Sequence, residues 1–110
     1  MIEWYPELYQ DIHTQKQWRK LRRRAEKKKL LPTELMFICI ASNPHNLLDI
    51  LQANALLYPY YQKRDILVVG TAFGMEAAKE LIEQMMFDIY IKTNGFDVRG
   101  YFVIPGSKSH

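Results

Sequence analysis

Two short apolar runs constrain the fold of this chain more than any other feature of its sequence. They occupy residues 35–41 (LMFICIA) and residues 65–70 (DILVVG), and both are rich in β-branched or aromatic residues. Runs of this length are too short for a buried helix and are typical of strands that are buried on both faces. We therefore predict two strands of one sheet, with a layer of structure covering each face.

Helices are predicted before and after the second of these strands. Residues 45–57 follow Asn43 and Pro44, which suit the N-cap and the first position of a helix. Residues 75–93 have the clearest helical period in the chain. The apolar positions of that period are Ala78, Leu81, Ile82, Met85, Met86 and Ile89. A third strand is predicted over residues 96–104.

The predicted order of elements is β-α-β-α-β, preceded by a basic N-terminal helix. Helices of this length between strands imply parallel pairing through right-handed crossovers. The prediction is an α/β fold, a small three-layer sandwich with a three-stranded parallel sheet. Strand order 2-1-3 is favoured because it places the two helices on opposite faces, whereas order 1-2-3 would require another element on one face. We expect one domain, with residues 1–31 forming the acidic, aromatic N-terminus and the basic helix, and residues 32–110 forming the core.

The third predicted strand would form an apolar edge of this small sheet. It contains Tyr101, Phe102 and Val103, and an exposed edge of this kind promotes association. Three tyrosines at positions 58, 60 and 61 add apolar surface near a helix end. We therefore expect a homodimer whose two-fold contact covers this surface.

Charge is distributed unevenly along the chain. The formal net charge of the 110 residues is +3. Residues 1–12 contain three acids and no base, and residues 32–110 contain eight acids and six bases. Residues 13–31 contain nine bases and one acid, so their net charge is +8. The basic character therefore belongs to one segment and not to the domain.

That segment consists mostly of good helix formers, and Pro32 ends it. Trp18, Leu21 and Ala25 form a narrow apolar stripe at helical spacing, too thin to insert into a membrane surface. Three interpretations remain: a solvated helix, a non-specific nucleic-acid contact through residues 16–29, or a contact with a protein partner.

The residues predicted to form an interaction site are Arg19, Arg22, Arg23, Arg24, Lys27 and Lys28. A protein-interaction role is favoured over nucleic acid, because the core lacks the combination of aromatic and basic residues that single-strand binders use. The most favoured function is thus a non-catalytic interaction or assembly module that uses its basic helix.

A second candidate site lies at the carboxyl ends of the predicted strands, where parallel α/β sheets bind ligands. Its candidate ligand-binding residues are Ser42, Asn43, His45, Thr71 and Gly74. No dinucleotide or phosphate-loop motif accompanies them. An enzyme or small-ligand binder is therefore the less favoured alternative, and no catalytic residue, cofactor or metal is predicted.

A single cysteine, Cys39, excludes an internal disulfide and is expected to be an inert buried thiol. The sequence has no 18-residue apolar run and begins without a basic, then apolar, leader pattern. We expect a cytoplasmic location.

Four segments of the chain resemble a family of small bacterial proteins that has no known activity. They are residues 4–9 (WYPELY), 42–50 (SNPHNLLDI), 69–70 (VG) and 93–102 (TNGFDVRGYF). The resemblance covers most of the chain, with the basic helix as its least similar part. It implies a cytoplasmic α/β domain and identifies no functional residues.

Overall fold

The chain forms a four-stranded mixed sheet with helices on both faces, in a computed structural model that describes residues 2–40 and 47–102. The strands are β1 (Ile2–Gln10), β2 (Leu35–Ile40), β3 (Leu48–Gln52) and β4 (Ile66–Phe73). The helices are α1 (Ile12–Glu26), a 3-10 helix (Ala53–Leu57), α2 (Pro59–Gln62), α3 (Met75–Thr93) and α4 (Val98–Tyr101). No helix within these two ranges is long and apolar enough to cross a membrane.

The strand order is β1-β4-β2-β3, and only β1 and β4 are parallel. The two apolar runs do form adjacent strands, but β2 and β4 are antiparallel, with Phe37 opposite Thr71 and Leu35 opposite Phe73. The predicted three-stranded parallel sheet of order 2-1-3 is therefore wrong. An α/β fold in the broad sense remains, with a mixed sheet as its central layer.

One cause of the error is the segment predicted as a helix over residues 45–57. Residues 48–57 of this segment form β3, which pairs with β2 as the second strand of a hairpin, and then the 3-10 helix, while residues 45 and 46 lie outside the described residues. Leu48 and Ile50 pack on the α3 side of the sheet, whereas Leu51 packs on the α1 side. Apolar residues on both faces of an edge strand resemble the crowded apolar pattern of a buried helix.

The second cause is the N-terminal segment, for which no strand was predicted. Residues Ile2–Gln10 form β1, parallel to β4, with Trp4 opposite Val68 and Tyr9 opposite Gly70. The register shifts between Trp4 and Tyr9, and Pro6 lies inside this irregular stretch. A proline and a bulge are features of edge strands, and they conceal a strand in the sequence.

The C-terminal strand predicted over residues 96–104 is also wrong. Residues Val98–Tyr101 form the short helix α4, while residues 103–104 lie outside the described residues. Val98 and Phe102 are four positions apart and are both buried in the core on the α3 side. The expected homodimer thus loses one of its two bases, the apolar edge strand, whereas Tyr58 and Tyr60, which belong to the other, are exposed. In contrast, the predicted helix over residues 75–93 is confirmed as α3.

The sheet separates two apolar cores. Alternation along β2 places Phe37 and Cys39 in the core beneath α1 and Ile38 in the core beneath α3. The α1 core also contains Leu21 and Ala25 from the helix itself. Helices α1 and α3 are therefore each held against the sheet by an apolar stripe, and the opposite face of each helix is exposed to solvent.

Gly70 lies in β4 where a larger side chain would meet closely packed neighbours. A Cβ at this position would lie 2.5 Å from Cε of Met85 and 3.2 Å from the carbonyl oxygen of Tyr9. The pairing of β4 with β1 and with β2 is irregular next to this residue. A methyl group here would push the end of the Met85 side chain aside and crowd the β1 backbone.

The buried thiol of Cys39 predicts a loss of stability at alkaline pH. Burial, with a smaller contribution from the charge of Asp49, raises the pKa of Cys39 to about 12, from an ordinary value of about 9. Between these values the unfolded chain releases the proton first, so stability is full below pH ~9 and falls as the pH rises toward ~12. We expect wild type to lose about 1–2 kcal/mol more than Cys39→Ala between pH ~7 and pH ~10.5. Urea titrations at both pH values measure this difference, and equal losses in the two proteins would contradict it.

Candidate basic interaction surface

Helix α1 begins immediately after β1 and is anchored at its first turn. Asp11 is its N-cap, and its Oδ1 accepts a hydrogen bond from the Thr14 backbone N–H at 2.9 Å. The Thr14 side chain is buried, and its hydroxyl also donates to Asp11. Asp11 Oδ2 accepts from the Phe73 backbone N–H of β4 at 3.2 Å, so one carboxylate joins the helix to the sheet.

The outward side of α1 carries a continuous row of basic side chains. Successive residues of a helix are rotated by about 100°, which places one set of residues opposite the buried Thr14, Leu21 and Ala25. This set, called the basic face below, is Lys16, Arg19, Lys20, Arg23 and Lys27. All five residues are exposed, and the row extends over about 16 Å. Among the described residues, no acidic side chain forms an ion pair with any of them.

Two residues of the predicted interaction site have other contacts. The Arg22 side chain forms an ion pair with Glu26 at 3.1 Å and lies 5.7 Å from the ring centroid of Trp4. The guanidinium of Arg24 donates to the Leu30 carbonyl oxygen, with Nη2 at 2.6 Å. Arg22 and Arg24 therefore stabilise the ends and packing of α1, and they do not belong to the basic face.

Lys28 and Lys29 follow the end of α1. Lys28 has a left-handed backbone conformation (φ 58°), and its N–H donates to the Ala25 carbonyl oxygen at 3.1 Å. The Lys29 N–H donates to the Arg24 carbonyl oxygen at 3.0 Å. These two bonds satisfy carbonyl groups at the helix end and turn the chain toward Leu31. Both lysine side chains are exposed.

Aromatic residues of α2 lie close to this end of the basic helix. Tyr61 lines the same cavity as Lys28 and Lys29. The neighbouring Tyr60 is 57% exposed, and the Arg64 guanidinium carbon lies 4.3 Å from its ring centroid. The fold thus brings together aromatic and basic residues, a combination that the sequence alone did not indicate for the core.

Two of the five candidate ligand-binding residues, Thr71 and Gly74, lie within the described part of the chain. Thr71 is buried within β4, where its Oγ1 accepts from Gln10 Nε2 at 3.0 Å. Gly74 is the N-cap of α3, with a φ of 93°. Ser42, Asn43 and His45 lie outside the described residues.

The sheet topology also removes the reason for expecting one crevice at the strand ends. Because β2 and β4 are antiparallel, with Leu35 opposite Phe73, the carboxyl ends of these two strands point in opposite directions and lie far apart in the sheet. The rule that ligands bind at the carboxyl ends of parallel strands does not apply to this pair.

A hydrogen-bonded cluster that sequence reasoning missed joins β1, α3 and α4. The Tyr9 hydroxyl donates to Asp88 Oδ2 at 2.6 Å and lies 2.8 Å from the Tyr101 hydroxyl. Burial and the hydrogen bond with Asp88 raise the pKa of Tyr9 above its ordinary value of about 10. Tyr9 therefore keeps its proton and connects three elements; no signal in the sequence links residues so far apart.

No group of three or more His, Cys, Asp or Glu side chains that could hold a metal ion occurs in the described part of the chain. Comparisons of the chain with protein-family models, with curated proteins and with solved structures find no match. The surfaces described above are therefore the basis for a proposal about function.

Proposed function

We propose that this protein is a non-catalytic binding module whose basic face binds the phosphate backbone of nucleic acid without sequence preference. The observation that carries the proposal is the row of five exposed bases on α1 with no ion-pair partner among the described acidic residues. Phosphate contacts of this kind require only Lys and Arg side chains, and their strength grows with the number of phosphates neutralised.

The basic face does not help the domain to fold. Like charges three or four positions apart on a helix, such as Arg19 and Arg23, repel one another by a few tenths of a kcal/mol. The helix is held instead by its opposite side, where Leu21 and Ala25 are buried against the sheet. A polyanion that neutralises the row would relieve this repulsion.

The composition of the basic face favours nucleic acid over a protein partner. From Lys16 to Lys27 the outward positions carry only charged side chains. The centres of protein interfaces are usually depleted of charge and rich in apolar and aromatic groups. Tyr61 lines the same cavity as Lys28 and Lys29 at the end of this helix, and nucleic-acid binders place aromatic rings of this kind next to basic side chains. The sequence favoured a protein partner because the core lacks combined aromatic and basic residues. The position of Tyr61 near Lys28 and Lys29 weakens that argument.

The proposal predicts weak binding that depends steeply on salt. We expect wild type to bind labelled single-stranded or duplex oligonucleotides at ~50 mM salt, with little dependence on sequence. In Lys16→Gln/Lys20→Gln, the slope of log affinity against log salt should fall by about two, because each lysine accounts for about one phosphate contact. Fluorescence anisotropy over a salt series measures both quantities.

The matched control is Lys79→Gln/Lys92→Gln, which removes two exposed lysines from α3 and changes the net charge equally. This variant should keep the wild-type slope. An equal loss of slope in both variants would assign binding to net charge and not to the basic face. No binding to any nucleic acid at ~50 mM salt would contradict the proposal and favour a protein partner for α1.

A further inference from the structure

A cavity of about 480 Å³ lies beside the C-terminal end of α1. Its walls come from the end of α1, β2, the 3-10 helix and α2, and they are mostly apolar. The apolar side chains that line it include Ile2, Ala25, Leu31, Leu56, Leu57 and Tyr61. This volume is within the range of about 300–1,000 Å³ that small-molecule sites occupy.

Hydrogen bonds hold the walls of the cavity in place. The Leu31 backbone N–H donates to Asn54 Oδ1 at 2.8 Å, and Asn54 Nδ2 donates to the Leu31 carbonyl oxygen at 2.9 Å. On the other side, the Gln62 side-chain amide donates to the Leu56 carbonyl oxygen. Small side chains at Ala25 and Ala53 leave the space between these walls unfilled. The cavity is thus part of the packed domain.

The mouth of the cavity has a positive charge. Lys28, Lys29 and Glu26 lie at this mouth and are exposed. The Glu26 carboxylate is already engaged, because its Oε2 accepts from Arg22 Nε and from Trp4 Nε1, each at 3.1 Å. The two lysine ammonium groups therefore determine which charge a bound molecule can carry.

We propose that this cavity binds a free amphipathic anion, an unbranched alkyl chain with a terminal carboxylate. The apolar interior disfavours a polar body, since polar groups buried without hydrogen-bond partners cost free energy. The alkyl chain would lie against Ile2, Leu57 and Tyr61, the apolar lining side chains that are partly exposed, and the carboxylate would meet Lys28 and Lys29 at the mouth. The inference is independent of nucleic-acid binding, because the basic face contributes none of the residues that line the cavity.

The first test is a series of straight-chain alkanoates from six to twelve carbons, used below their micelle concentrations. We expect affinity to rise about fourfold for each added methylene until the chain fills the cavity. Decanoate should shift the NMR signals of the Ala25 and Ala53 methyl groups at lower concentrations than the methyl signals of α3. At equal length, 1-decanol and decylammonium should bind more weakly than decanoate, because only the carboxylate pairs with the lysines.

Two variants test separately how the mouth and the interior of the cavity contribute to binding. Lys28→Gln/Lys29→Gln should weaken decanoate binding about three- to tenfold. The matched control Lys16→Gln/Lys20→Gln removes the same charge from the basic face and should leave the affinity unchanged. Ala53→Leu should reduce binding by filling the cavity. If Ala53→Leu does not fold, the chain-length series with the wild-type protein still decides the question.

Several results would overturn the inference. They are an affinity independent of chain length, decylammonium binding as tightly as decanoate, and an equal loss in the two lysine variants. Binding to vesicles of anionic phospholipid without binding to free alkanoates would assign the lysines to a membrane surface and also overturn it. Because the probes carry no phosphate, failure here leaves the nucleic-acid proposal standing, and the salt series can fail without affecting this result.

Discussion

Replacing Phe37 with alanine is expected to lower the free energy of unfolding by about 3–5 kcal/mol. Phe37 is 0% exposed and lies in the core beneath α1. Its ring packs edge-on against Trp4, at a centroid distance of 5.6 Å, and against Trp18 at 6.4 Å. Because the ring is completely buried among packed side chains, the substitution leaves a large empty space in this core. The upper part of the range is therefore expected.

The matched control is Phe87→Ala, which removes the same atoms from the outer side of α3, where Phe87 is 66% exposed. This variant should change stability by less than about 0.5 kcal/mol. Both tryptophans of the chain, Trp4 and Trp18, contact Phe37. Urea unfolding followed by tryptophan emission thus reports directly on this core. A loss below about 1 kcal/mol in Phe37→Ala would mean that α1 does not depend on this packing.

The two long helices, α1 and α3, were predictable because their signals are local. In α3 the buried residues recur at helical spacing, so the apolar period indicated both the element and its inward face. In α1 the same reasoning indicated that Leu21 and Ala25 face inward and that most bases face outward. Its predicted range of residues 13–31 was longer than the observed Ile12–Glu26, because the turn at Lys28 uses a lysine where glycine is usual.

Strand pairing was not predictable in the same way. Burial on both faces indicated two central strands, but it does not distinguish parallel from antiparallel pairing. That choice was inferred from a helix expected between them, and the segment is instead the hairpin strand β3. The strand β1 was missed since its partner, β4, is more than fifty residues away in the sequence and its own pattern is interrupted by Pro6.

The candidate site, like the fold, was predictable only where its signals are local. The helical period was enough to predict a basic surface that includes Arg19, Arg23 and Lys27. The contact of the Arg22 guanidinium with Trp4 depends on where β1 lies, and the sequence of α1 does not contain that information. The proximity of Tyr61 to Lys28 also depends on the path of the chain through β3 and the 3-10 helix. Sequence therefore predicted which side of α1 faces solvent, and the fold decided what surrounds it.

Asp11→Ala is expected to destabilise the protein by about 2–3 kcal/mol, because one carboxylate serves two elements. Loss of an N-cap costs about 1 kcal/mol. The Phe73 N–H of β4 would also lose its acceptor, and an unsatisfied, partly buried donor adds about 1–2 kcal/mol. Since the same side chain also accepts from the buried Thr14 hydroxyl, water has little room to replace it.

The chain offers a matched control for this substitution at Asp97. Asp97 is the N-cap of α4 and accepts from the Gly100 N–H at 3.0 Å, but it is exposed and this side-chain bond stays within its own helical turn. Asp97→Ala should therefore cost about 0.5–1 kcal/mol, the value of a cap alone. Asp11→Asn should fall between the two, because its amide retains one acceptor oxygen for Thr14 and presents a donor toward Phe73. Equal losses for Asp11→Ala and Asp97→Ala in urea unfolding would show that Asp11 only caps α1. A larger loss for Asp11→Ala would show that this carboxylate also fastens the basic helix to the sheet.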